Sequence, residues 1–325
     1  MRLTYDQIRS VAVGALRFEE SAEGIRFYKT TPRQVEAWRN LNEGLGRNAE
    51  SSTGIRLDFH TNSRRLTFRT AGGNKFELFL NNLLVGQYQN ESLPEVTVEL
   101  TDPLGHPQNE ARVTLYFPSL DAGGVIQSME LDDGSYIRRH QFDRKFLFLG
   151  DSITQGALAS IDSLSYVNRV SRHYNAESVN QGVGGGFFHP STFDHIPFDP
   201  DAIFVAFGTN DFRHCPSLNE LRNRVSAYLS LLAEEYASKL FFVISPTWRG
   251  TRDSRAMEGT FEDCRSLIAE EAERLGMIHI DGLTLVPPLP IFFQDGYLHP
   301  NDNGFSLYAE NLISQLEQYM PSHKI

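Results

Sequence analysis

The sequence predicts two architectures in series: an all-β sandwich over residues 1–143, then an α/β domain with a parallel sheet over 144–325. Three observations carry that reading. Between about Gly54 and Gln141 apolar residues recur with a period of two. After Asp143 the strand-like runs turn continuously apolar, and they alternate with stretches of helical periodicity. A period of two marks strands with one buried and one wet face, the antiparallel pattern. Continuous apolar runs mark strands covered on both faces, and their alternation with helices implies right-handed crossovers.

The first fifty residues offer a strand at 24–28 and a helix at 31–41, opened by Thr31 and Pro32. Alternation is then clear at Ile55, Leu57 and Phe59, at Leu66 and Phe68, and at Phe76, Leu78 and Leu80. It returns at Val96, Val98 and Leu100, and at Val113, Leu115 and Phe117. Polar or glycine-containing breaks at 71–75, 90–92, 101–105 and 132–134 separate these runs, as in a sandwich. In the second half, strands are expected at 145–150, 202–208, 239–245 and 277–281. Helices are expected at 163–174, 217–237, 260–275 and 301–319, the last capped by Asp302. In the second of these, Leu218, Leu221, Val225, Leu229 and Leu232 form a helical stripe.

Charge narrows the function. Forty-one acidic against thirty basic residues give a net charge of −11, which disfavours nucleic-acid and membrane-surface partners. The first 143 residues hold 16 basic and 19 acidic side chains and the remainder 14 and 22, so the second half is the more acidic. Two cysteines are too few for a disulfide framework or a cysteine-rich zinc site. His189, His195 and His214 lack zinc-ligand spacing, and neither metal nor organic cofactor is expected. No run approaches the ~18–20 apolar residues that span a bilayer. The N-terminus lacks a signal-peptide pattern, and the expected location is cytoplasmic. The oligomeric state is not legible.

In an open parallel sheet, chemistry sits outside the carboxyl ends of the strands. Four such places carry unusual residues. The run 145–150 leads into Gly150-Asp151-Ser152, where a serine on a tight turn exposes its hydroxyl beside helix-terminal N–H groups. The loop Asn180-Gln-Gly-Val-Gly184-Gly185-Gly186 can bring backbone N–H groups close to a ligand. The run 202–208 ends in Gly208-Thr209-Asn210-Asp211, and Asp295-Gly-Tyr297-Leu-His299-Pro offers a carboxylate beside an imidazole. Each alone reads as a cap, a turn or a surface pair; their order at successive strand ends does not.

Together these motifs resemble the SGNH (GDSL-type) hydrolase superfamily over roughly residues 144–320. The resemblance implies a flavodoxin-like three-layer α/β/α domain, with a jelly-roll-like sandwich before it. It implies Ser152 as nucleophile, His299 as base and then acid, and Asp295 as the residue orienting His299. The Ser152 N–H, the Gly185 N–H and the Asn210 side-chain amide would form the oxyanion hole, with Gly184 as the fallback glycine. One departure stands out: the family usually writes Asp-x-x-His, and here three residues separate Asp295 from His299. Gly-x-Ser-x-Gly is absent, since Thr154 stands where its second glycine belongs, which argues against an α/β-hydrolase fold.

The expected reaction is hydrolysis of small acyl esters, acetyl above all, through an acyl-enzyme. A sandwich before such a domain resembles two-domain carbohydrate acetyl esterases, which makes an oligosaccharide ester the expected partner. Gly184, Trp248 and Tyr297 are candidate substrate-binding residues, with Phe212 another stacking face; Asp151 is a candidate too, although a hydrogen bond to the turn backbone is the commoner role of such a residue. Two rival readings are a lysophospholipase or thioesterase on longer acyl chains, and a carbohydrate-binding protein with an inactive hydrolase domain.

Overall fold

The structure, a computed structural model, describes residues 1–71, 75–88, 95–119, 123–251 and 258–321. Residues 72–74 of the break read at 71–75, and all of the break at 90–92, lie outside the described residues. Two antiparallel sheets form the sandwich. One runs Ala12–Val13, Arg56–Thr61, Ala111–Tyr116, Phe76–Leu80, Leu83–Tyr88, with Arg138–Arg139 also paired to Arg56–Thr61. The other runs Arg17–Ser21, Gly24–Tyr28, Val125–Leu131, Arg65–Ala71, Val96–Glu99. Leu57, Phe59, Leu66, Phe68, Leu78, Leu115 and Met129 share one buried cluster, so the alternating residues face inwards as their period requires.

The expectation of a wet outer face fails in one place. Arg56, Asp58 and Glu77, on the other face of the first sheet, are also buried. Their sheet packs against the second half of the chain: Arg56 Nη2 donates to the Ala176 carbonyl at 3.2 Å. Alternation reports which face is apolar. It does not report that the polar face will be covered too.

The second half is a five-stranded parallel sheet in the order Ala176–Gly182, Arg144–Gly150, Ala202–Ala206, Leu240–Ile244, Ile278–Ile280. The strand Ala176–Gly182 stands at its edge. Tyr166–His173 and Asp302–Leu316 cover one face; Leu218–Glu235 and Phe261–Arg274 cover the other. Serine or threonine oxygens cap three of these helices, at Ser165, Ser217 and Thr260. The last is capped by Asn301 rather than Asp302, whose carboxylate accepts from the Ser160 N–H instead.

Residues 31–49 pack with the parallel sheet although in sequence they lie between strands of the sandwich. Thr31 and Gln34 form a capping box that starts the helix Pro32–Leu41, and Glu43–Ala49 follows after one residue. Val35, Trp38, Leu45 and Ala49 belong to the same buried cluster as Leu149, Val183 and Phe207. At the sheet edge, where unpaired backbone groups would otherwise stand, Lys29 meets the Gly182 carbonyl and Arg56 the Ala176 carbonyl. Beside it lies a buried ionisable group of three. Lys29 Nζ donates to the Gly182 carbonyl at 2.5 Å. Glu77 accepts from the Asp162 N–H at 2.6 Å, and Asp162 accepts from the Gly54 N–H at 3.3 Å.

Two stability experiments follow from this packing. Trp38→Ala removes a large buried aromatic and is expected to cost about 3–5 kcal/mol of unfolding free energy, measured by urea denaturation. The second concerns pH. Burial, then the neighbouring Glu77 charge, pushes the Asp162 carboxyl up to about 8. The folded chain then holds that proton more tightly than the unfolded chain, so Asp162 makes stability fall as pH rises from about 4 to 8. Burial lowers Lys29 to about 7, so its own contribution makes stability rise with pH only above that value. Asp162→Asn is therefore expected to flatten the decline between pH 4 and 8; an unaltered profile would contradict this assignment.

Candidate active site

The central strand Arg144–Gly150 delivers the nucleophile turn. Asp151 caps the single helical turn Ser152–Gln155, its carboxylate accepting from the Ile153 N–H at 2.9 Å. The strand can approach that turn only because residue 150 is glycine: a Cβ there would lie 2.1 Å from Thr154 Oγ1 and 2.7 Å from the Ala206 carbonyl. Ser152 is half-buried and its hydroxyl lies 2.9 Å from His299 Nε2.

His299 comes from the loop before the last helix. Its Nδ1–H donates to Asp295 Oδ2 at 2.6 Å, which leaves Nε2 as the acceptor for the Ser152 hydroxyl. The other Asp295 oxygen accepts from the N–H groups of Tyr297, Leu298 and His299 at 2.8–3.1 Å. Burial works to raise the Asp295 carboxyl, but the His299 ring and these three N–H groups outweigh it and hold it below the usual carboxylate range. Gly296 takes φ of +78°, which lets the longer spacing close into one turn with the carboxylate on the imidazole.

The loop after the edge strand turns between Val183 and Gly186, whose N–H donates to the Val183 carbonyl at 2.7 Å. Gly185 takes φ of +82°, the left-handed value that the third position of a type II turn needs. The Gly184 N–H donates to Gln155 Oε1 at 2.5 Å and is therefore engaged. The Gly185 N–H meets no acceptor among the described residues. That distinction removes the fallback glycine. Asn210, opening the helix Thr209–His214, uses one amide hydrogen on the Gly186 carbonyl at 2.9 Å, and its second meets no acceptor among the described residues. Arg249, buried, donates to the Thr209 carbonyl at 2.7 Å and braces that turn.

Sequence reasoning missed the residues that hold the loop. Gln155 grips Gly184 and donates to Ser51 Oγ at 3.0 Å. Asn180 accepts from the Gly182 N–H at 2.9 Å and donates to the Thr154 carbonyl at 2.9 Å. From the first half of the chain, Lys29 holds the Gly182 carbonyl, Gln34 bonds Gln181 at 3.0 Å, and Asn48 Nδ2 donates to the Gly184 carbonyl at 2.8 Å. These last three contacts span more than 130 positions, and no local pattern encodes them.

Other expectations need correction. Asp151 is buried beneath the turn it caps, and burial raises its carboxyl to about 7, so it offers nothing to a substrate. Gly184 is occupied by Gln155. Phe212 is fully buried against Phe261, 5.2 Å between ring centres, and presents no stacking face. Trp248 is half-buried and packs on Phe293, whereas Tyr297 is exposed. Asp211 braces its loop, accepting from the Phe188 N–H at 3.1 Å. Among the described residues no group of three His, Cys, Asp or Glu side chains could hold a metal ion, and no helix is long and apolar enough to cross a membrane.

Residues 148–307 match the family described as GDSL-like Lipase/Acylhydrolase. A search of curated protein sequences found no match. Among solved structures, the chain resembles the salicylyl-acyltransferase SsfX3 from a tetracycline biosynthetic pathway, with a TM-score of 0.81, 16% identity and 96% of each chain covered. It resembles a family two carbohydrate esterase from Clostridium thermocellum in complex with cellohexaose, with a TM-score of 0.64, 15% identity, 95% of this chain and 99% of that one. The corresponding enzyme from Cellvibrio japonicus gives 0.64 and 20%, covering 84% and 92%. Residues 148–307 are thus a GDSL-like lipase/acylhydrolase domain of SGNH type, the domain of a carboxylic ester hydrolase.

Proposed function

We propose that this protein is a serine esterase that removes small acyl groups, acetyl above all, from carbohydrates. The observation that carries it is the hydrogen-bonded chain Ser152–His299–Asp295, at 2.9 Å and 2.6 Å. His299 Nε2 takes the Ser152 proton as Oγ attacks the acyl carbon. The carbonyl oxygen becomes an oxyanion, received by the N–H groups of Ser152 and Gly185 and the second amide hydrogen of Asn210. His299 then protonates the departing alcohol oxygen, and a water deprotonated by the same imidazole releases the acid. Asp295, held ionised by its four hydrogen bonds, stabilises the imidazolium in both halves.

Asn48 has a part in this chemistry. The Gly184 carbonyl and the Gly185 N–H belong to one planar peptide unit and point in opposite directions. By holding the carbonyl, Asn48 sets the direction of the N–H. It is a positioning residue for the oxyanion hole.

Small acyl groups are favoured because the segment after the glycine-rich loop is too short to cover a long chain. Phe188 is buried in the core and gives no lid over a long chain. A sugar alcohol is supported by the exposed Tyr297 ring, joined through Gly250 to the edge of Trp248. Discharge of the acyl-enzyme onto an alcohol instead of water is a second reading, favoured by the acyltransferase that shares the fold across 96% of both chains. An ester product formed when a free sugar is added, read by mass spectrometry, would establish it.

Two experiments test the assignment. The enzyme is expected to cleave p-nitrophenyl acetate and acetylated oligosaccharides well and octanoate poorly, with Ser152→Ala below detection. Preference for octanoate would remove the acetyl reading, and full activity in Ser152→Ala the nucleophile. Asn48→Ala is expected to lower kcat about 10–100-fold with KM nearly unchanged and the melting temperature retained, since a fully lost oxyanion donor costs ~10²–10³. A change confined to KM or to stability would refute the positioning role.

A further inference from the structure

A cavity of about 460 Å³ lies between the outer face of the first sandwich sheet and the helices Tyr166–His173 and Asp302–Leu316. It is far from Ser152. Ala176 lines it, paired with Arg144 at the start of the parallel sheet, whereas Ser152 follows Gly150 at the finish. Seven residues of strand separate those levels, about 20 Å.

Four arginines line the cavity: Arg56, Arg112, Arg169 and Arg172. In a chain of net charge −11 such a concentration needs a reason. Asp58, buried below, pairs with both Arg56 and Arg112, at 3.3 and 2.8 Å. Arg169 and Arg172, one turn apart on the same helix, have no carboxylate within ion-pair distance among the described residues. Arg169 is held by the Leu164 carbonyl and by Ser306 Oγ, and Arg172 by the Tyr116 hydroxyl at 3.3 Å. Glu310, which lines the same cavity, is engaged by Ser306 Oγ at 2.9 Å. Burial, and then the charge of Arg172, lowers the affinity of Arg169 for its own proton. Arg56 Nη1 is buried with no hydrogen-bond partner. Among the lining residues four guanidinium groups stand against one carboxylate, Glu310; Asp58 lies beneath them, and the charges of Glu77 and Asp302 reach Arg172 and Arg169 from outside the cavity wall.

The geometry points to a binding site for a small organic anion, a phosphate or carboxylate carried on a molecule of sugar size, held by Arg169 and Arg172. Guanidinium forks match both oxyanions bidentately, and the volume admits a monosaccharide with its charged group. The apolar wall at Ala309 and Ile313 would take the less polar side of such a ring. The site is separate from the ester chemistry and does not depend on it.

Isothermal titration of the full chain at low salt tests this, using glucose 6-phosphate, glucuronate, inorganic phosphate and neutral glucose. Saturable, salt-sensitive binding of glucose 6-phosphate or glucuronate but not glucose is expected. Inorganic phosphate competing with glucose 6-phosphate would assign the phosphate group; binding of glucuronate alone would assign the carboxylate. Arg172→Gln should weaken binding about tenfold or more, and the pair Arg169→Gln with Arg172→Gln about 100-fold. Ile313→Glu, which removes no hydrogen bond, should abolish binding by placing a carboxylate in the cavity. Ser152→Ala should bind as the parent does. Binding of no anion, equal binding of glucose, or affinity unaltered in both Arg172→Gln and Ile313→Glu would overturn the assignment.

Discussion

Ser152 and His299 touch across 147 positions of chain, and little else in the molecule matters if they do not. Their contact requires the carboxyl edge of a parallel sheet and the loop preceding the closing helix to meet at one height. The sheet provides the height. Gly150 and Gly182 are register partners on adjacent strands, and each lacks a side chain because a Cβ would strike the nucleophile turn. The closing loop meets it because Asp295 folds that loop around its own carboxylate, using three backbone N–H groups and the imidazole together. One carboxyl thus shapes the backbone and sets the tautomer.

Opposite the imidazole, the donors for an oxyanion depend on a sheet edge. Ala176–Gly182 has a neighbour on one side only, and the loop that follows it would be free to move without a second wall. Residues 29–53 build that wall with Lys29, Gln34, Asn48 and Ser51, each hydrogen-bonded to the edge strand, its loop or Gln155. Burying a lysine here costs desolvation, visible in its lowered proton affinity. In return, the carbonyl of Gly182 is fixed from a direction that the sheet cannot reach.

The fold was readable because its signals are local and repeated. Period-two runs and continuous apolar runs place Leu57 or Phe148 without knowledge of any partner, and the caps at Ser165, Ser217 and Thr260 follow from single residues. Ser152, His299 and Asn210 stand out as strand-end motifs, and their roles, with that of Gly185, come from the resemblance of those motifs to the SGNH blocks. Asn48, Lys29 and Gln34 were not legible, because each acts through one contact with a residue far along the chain. Asp151 misled only as a substrate contact, since its carboxylate turns inwards; the other reading of it, a hydrogen bond to the turn backbone, is the one it makes. Arg56 and Asp58 misled likewise, since the covered outer sheet face leaves no trace in their own alternation.

The helix pair at 32–49 also sets an order on synthesis. These residues leave the ribosome early, yet the apolar surface that receives Trp38 and Leu45 includes Val183 and Phe207. At ~5–20 residues per second the nascent segment waits roughly ten to thirty seconds for its partners. Throughout that interval an indole and several aliphatic groups stand in water, natural clients for a holding chaperone. The remaining sandwich strands emerge meanwhile and can fold first with those already made, tethering the waiting helices beside the place where the parallel sheet will form.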